Sequence, residues 1–182
     1  MSAFYPLIEL FMGGLFLLTA LLVGFHSISH LVFYLFISFV FVVLTIYDLL
    51  FQEVPDEVSL PGIVIAGAFM VWEGPYTLES LLLGVLIPVL FFGALFVFSK
   101  GHWIGGGDIR VGALMGILMG YPYILVGLFL AYLSGSIFSV IGLLTQKISR
   151  KSHIPFVPFL LFGTYFTIFW GDTLLGWYIR FL

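Results

Sequence analysis

Long apolar runs alternate with short polar punctuation along the 182 residues. The runs cover residues 4–25, 31–51, 58–72, 78–98, 108–120, 122–144 and 155–179, and each predicts a helix. Their Phe, Leu and Val stretches carry no amphipathic period, the pattern of helices that are apolar all round. The breaks are brief: "HSISH", "QEVPDE", "EGPYT" and "YP". This pattern predicts an all-α, polytopic membrane helix bundle of about six to seven transmembrane helices, forming one domain over residues 1–182. The opening "MSAFYPLIELFMGGLFLLTA" has no basic n-region, so it reads as a retained first span.

The fifth run is short. Its helix would rise roughly 20 Å, against a hydrocarbon core of about 30 Å. Either it does not span, or the backbone before it dips inward. Dipping would carry Gly105, Gly106, Gly107 and Asp108 below the membrane surface. Irregular backbone at that depth is tolerated only when buried in protein or lining a wet cavity. A water-accessible crevice is therefore expected.

Composition sharpens this picture. The chain is 62% hydrophobic and 8% charged, against about 25% charged in soluble domains. A soluble globule is excluded, and the lipid bilayer is the expected surrounding. No basic tract suggests nucleic acid. With no cysteine, disulfides, thiolate zinc sites and thiol catalysis are excluded. If the first of seven spans starts in the cytoplasm, Lys100, Arg110, Lys147, Arg150 and Lys151 all fall on the cytoplasmic side. The opposite loops carry no Lys or Arg, which fits the positive-inside rule; Arg180 is the exception.

Two acids need an explanation. Asp48, in "TIYDLLF", lies about one turn inside the second run, at a depth like that of Asp108. An aspartate at the bilayer centre costs about 2.5–3.5 kcal/mol on insertion scales, so such residues face protein or water. Two carboxylates in one wet crevice tend to share a proton. The ionised partner can take a proton from a water that attacks a peptide carbonyl, while the protonated one donates to the carbonyl oxygen or the leaving amine. No metal, cofactor or nucleophilic side chain is needed, and the chain has no HExxH or GxSxG. Gly105 to Gly107 would allow a sharp backbone and main-chain pairing with an extended substrate. The simpler reading is interface-level solvation of both acids, with Asp108 as the N-cap of the next helix.

Three stretches resemble one family. "YDLLFQEVPDEVSLPG", "GGGDIRVGALMG" and "HIPFVPFLLFG" are similar, in order and spacing, to motifs of the type IV prepilin peptidases and archaeal preflagellin peptidases, the GxGD membrane aspartyl proteases. The resemblance implies that Asp48 and Asp108 form a catalytic pair facing the cytoplasm. It implies substrates with a short basic leader before a hydrophobic segment: prepilin, pseudopilin or archaellin precursors. Gly105, Gly106, Gly107, Glu53 and Asp56 would then contact substrate, with the two acids attracting the basic leader. Against that, Glu53, Asp56 and Glu57 could simply solvate a loop, with Asp56 capping the third helix. The chain departs from larger bacterial members in three ways. It shows no cysteine-rich N-terminal zinc domain, so N-methylation is not expected. Arg110 stands where Lys is common, and Val157 replaces the glycine of IPFGPF.

Other features read more plainly. His26 and His30 share a helix spacing but have no third ligand, so they read as interfacial. His102 reads as a solvated loop residue, although its nearness to Asp108 in sequence could tune that acid. Trp72, Trp103 and Trp177 read as belt residues, and Met115 and Met119 as packing. Lys147, Arg150 and Lys151 would touch anionic headgroups. Two alternatives compete with the prepilin-type protease. A presenilin or signal-peptide-peptidase-like protease also fits "YDLLF" and "GGGD", but the chain has no Pro-Ala-Leu motif. A small proton- or ion-coupled transporter would also use submerged acids, but should show an internal repeat.

Overall fold

A computed structural model describes residues 4–24, 27–146 and 153–180. The expectations for His26, Lys147, Arg150 and Lys151 lie outside the described residues. Seven helices run in chain order: α1 Phe4–Val23, α2 Ile28–Phe51, α3 Asp56–Trp72, α4 Leu78–Ser99, α5 Gly106–Met119, α6 Tyr123–Leu144 and α7 Val157–Ile179. No strand forms among the described residues. Among those residues, α2, α4, α6 and α7 are long and apolar enough to cross a membrane, and Ile8–Val23 of α1 is a shorter apolar stretch.

The apolar runs locate these helices to within a few residues. Polar residues extend several of them. α2 begins at Ile28, not residue 31, because Ser27 caps it and accepts from the His30 N–H at 3.5 Å. Thr77 caps α4 in the same way, accepting from the Ser80 N–H at 3.2 Å. Asp56 was expected to cap α3 but occupies its first turn. Pro55 takes the cap position, with extended backbone.

The fifth helix is short because it is the centre of the bundle. α5 packs against α3, α4, α6 and α7. Val111, Gly112 and residues 114–119 are all buried. A helix enclosed by protein has no need to match the bilayer. Met115 and Met119 pack in this core, as expected. Its tightest contact is with α4. A Cβ added to Gly84 would sit 2.5 Å from the Gly116 carbonyl oxygen, and one added to Gly116 would sit 2.9 Å from the Val85 Cα. The two backbones touch, as small residues allow between membrane helices.

α1 packs on α2, and hydroxyl groups secure it. Thr19 Oγ1 lies 3.1 Å from Ser38 Oγ, which in turn contacts the Tyr165 hydroxyl of α7. Thr19 also donates to the Leu15 carbonyl at 2.7 Å, so the buried oxygen is satisfied. The outer surface is apolar: Leu10, Leu90 and Phe129 are each more than 60% exposed. A soluble monomer would not show such a band. Trp72, Trp103 and Trp177 are exposed, at or near helix ends.

Candidate active site

The C-terminal ends of α2 and α4 meet the N-terminal ends of α3, α5 and α7 at one end of the bundle. A crevice of about 760 Å³ opens there. Asp48, Asp108, Glu53 and Gly105 to Gly107 all line it. Asp56 does not.

Asp48 is carried one turn inside the end of α2, and Gln52 closes that helix in the left-handed region at φ 56°. Only 7% of Asp48 is exposed, so its carboxylate must find donors inside the protein. It finds them at the start of α7. The Val157 N–H donates to Asp48 Oδ2 at 2.8 Å, and Phe156 supplies a second backbone contact. α7 has no side-chain cap of its own, since Phe156 holds the cap position. Asp48 thus serves as an acceptor from another helix for orphan N–H groups that burial makes costly. Gln52 ties the same two segments, its Nε2 donating to the His153 carbonyl at 3.2 Å.

Asp108 sits differently from the simple expectation. Gly105 is the N-cap of α5, and Asp108 is the third helical residue. The Gly105 N–H donates to Asp108 Oδ2 at 3.1 Å. This is half of a capping box, because Gly105 has no side chain to return the bond. The Asp108 carboxylate is half-buried and lines the same crevice as Asp48. Among the described residues no cation lies within ion-pair distance of either acid.

The glycines divide into distinct roles. None of the three has positive φ, so no sharp left-handed turn occurs; the run is the first turn of α5. Gly107 is fixed by packing, since an added Cβ would lie 2.5 Å from Val54 Cβ and Cγ2. Gly106 faces open space, with nothing within 4 Å of a Cβ. First-turn N–H groups have no partner within their own helix, so this edge presents donors to the crevice.

Asp56, expected near a basic leader, is turned to Arg110, and the two form an ion pair between α3 and α5. Arg110 lines the crevice, so the pair fixes a cation at its lip. His102 is exposed at the rim and donates from Nδ1 to the Ser99 carbonyl at 2.9 Å. His30 lies at the opposite end of α2, beside Ser27 and 3.7 Å from Glu73. Pattern reading overlooked Tyr132 of α6, which lines the crevice and packs on Phe156 at a ring distance of 5.1 Å. It also missed Gln52 and the Val157 N–H. The one available signal was a helix starting at "FVP" with no polar cap.

Comparison with known proteins gives the family. The model of the type IV leader peptidase family matches residues 34–140, which hold both aspartates. The chain belongs to that family. Among its similar relatives in the type IV leader peptidase family is the prepilin leader peptidase/N-methyltransferase of Aeromonas salmonicida, 27% identical over 98% of this chain and 62% of that protein. The protein of the same description from Legionella pneumophila is 29% identical, over 96% of this chain and 62% of its own length. That from Bacillus subtilis is 26% identical, over 98% and 71%. The chain therefore spans 62% of the length of the Aeromonas and Legionella relatives. No solved structure matches it.

Proposed function

We propose that this protein is a membrane aspartic endopeptidase that removes the leader of prepilin-like precursors, with Asp48 and Asp108 activating water. The observation that carries this reading is that two carboxylates, from α2 and α5, line one crevice at one end of the bundle. Membership of the leader peptidase family and relatives described as prepilin leader peptidases support the substrate class. A prepilin, pseudopilin or archaellin precursor is the expected partner, presented from the lipid bilayer.

The chemistry follows from sharing a proton. The ionised carboxylate takes a proton from a water as its oxygen adds to the scissile carbonyl carbon. The protonated partner donates to the carbonyl oxygen. Collapse breaks the C–N bond: the carboxyl that took the water proton gives it to the leaving amine, and a diol hydroxyl returns its proton to the other carboxylate, so the pair again holds one proton. The Val157 N–H holds Asp48 and the Gly105 N–H holds Asp108, so both carboxyl groups are oriented before substrate arrives. First-turn N–H groups at Gly106 and Gly107 face an incoming backbone, as in main-chain recognition of extended peptides. Glu53, exposed at the rim, attracts the basic leader. Asp56 acts on the same rim by holding Arg110. Lys100 and Arg110 lie at the crevice end, and Lys147, Arg150 and Lys151 follow α6 in sequence. By the positive-inside rule that end faces the cytoplasm.

The test is cleavage of a tagged precursor by the protein in proteoliposomes, comparing wild type with Asp48→Ala and Asp108→Ala. Leader loss only in the wild type is expected. An intact precursor, with ion flux that depends on both acids, would overturn the reading in favour of a transporter.

A further inference from the structure

A second cavity of about 370 Å³ adjoins the crevice on the α6–α7 side of the bundle. Three residues line both: Tyr132, Ile154 and Phe156. The two spaces are therefore neighbours on either side of Phe156, whose neighbour Val157 holds Asp48. Their chemistry differs. The crevice carries Asp48, Asp108, Glu53 and Arg110, whereas among the described residues none that lines the second groove is charged. Its floor is Gly135, Ser136 and Ser139 of α6, and Val140 and Phe159 add apolar walls. Ser139 spends its hydroxyl on the Gly135 carbonyl at 2.7 Å. Its proton is therefore used within α6. Small side chains on a membrane helix let a second helix come close.

We propose that this groove binds the hydrophobic segment that follows the scissile bond of the precursor. This rests on the protease reading above. A precursor with its basic leader among the crevice acids must place its apolar segment within a few residues of Asp48 and Asp108. Extended chain advances roughly 3.3 Å per residue, so the apolar part starts almost at the site. The groove is the space beside that site, and its described lining carries no charge. Tyr132 and Phe156, packed on each other, stand between the two. The division explains how one enzyme could read a charged and an apolar element on either side of one bond.

Two measurements test this. In the first, Ser136→Trp fills the groove, since Ser136 is exposed. Ile141→Trp, on an exposed part of α6 outside the groove, is the control. Each is assayed on the full precursor and on a short soluble peptide that ends a few residues past the scissile bond. Ser136→Trp should raise KM for the full precursor about tenfold or more, the scale of one excluded apolar side chain. It should leave kcat/KM for the short peptide within twofold, and the control should change neither. Equal losses on both substrates, or no loss on either, would overturn the proposal. In the second, a benzophenone side chain replaces Ser136 and is photolysed with full precursor in vesicles. Adducts on the hydrophobic segment support the proposal; adducts only on lipid or on the leader overturn it. Cross-linking needs no turnover, so a wild type that cleaves nothing would overturn the protease reading without deciding the groove.

Discussion

Replacing Gly107 by alanine should disable the site while sparing the fold. The new Cβ would lie 2.5 Å from two carbons of Val54. Carbon atoms rest at about 3.5–4.0 Å, so the first turn of α5 and the α2–α3 loop must part by roughly 1 Å. Asp108 is the next residue and moves with that turn. A displacement near 1 Å at a catalytic group costs on the order of 100-fold in rate, or about 2.7 kcal/mol of activation free energy. Stability changes less. Alanine favours the helix by about 1 kcal/mol over glycine, and overpacking opposes it by about 1–3 kcal/mol. The assay is single-turnover cleavage of a tagged precursor, beside a thermal melt in the same detergent. Gly107→Ala should lose about 100-fold in rate with a nearly unchanged melt. Gly106→Ala, with nothing to strike, should keep its kcat. Adding Val54→Gly to Gly107→Ala removes the struck atoms and should restore most of the rate. Full activity in Gly107→Ala, or no rescue by Val54→Gly, would refute the claim that this contact sets the position of Asp108.

Three further outcomes follow. Gly116→Val drives a branched side chain into the α4 backbone and should destabilise the bundle by about 3 kcal/mol, read as a lower melting midpoint in detergent. Glu53→Gln should raise KM for a basic leader without changing kcat, and the difference should shrink as salt rises, which a salt series on both proteins would show. The pH profile of cleavage should be bell-shaped. On the acid side the dyad gains a second proton and has no base; on the alkaline side it loses its shared proton and has no acid. A flat profile across the carboxylate range would contradict proton sharing.

The helices were legible because lipid demands long apolar runs, and the short fifth run correctly marked an unusual element. Its explanation was tertiary: α5 is enclosed by four helices, which no local pattern can state. Asp48 was legible as an acid one turn inside the end of the second run, and that is its place in α2. Its donor was not legible, because the Val157 N–H lies 109 positions away. In "GGGD" the register was misread. Aspartate is a favoured N-cap, but here a glycine takes that place and the acid folds back from the third position. Asp56 was displaced for a similar reason, as Pro55 takes the cap and Arg110 claims the carboxylate. Tyr132 sits in an apolar helix with nothing local to distinguish it from packing.

The central claim is that Asp48 and Asp108 together activate water, with neither acting as nucleophile. The most direct measurement is a single turnover of a tagged precursor in water enriched in oxygen-18, followed by mass analysis of leader and enzyme. The account predicts one heavy oxygen in the new carboxylate of the released leader and none in Asp48 or Asp108. An unlabelled leader, with heavy oxygen in either aspartate, would mean that a carboxylate attacks the peptide itself, and would contradict it.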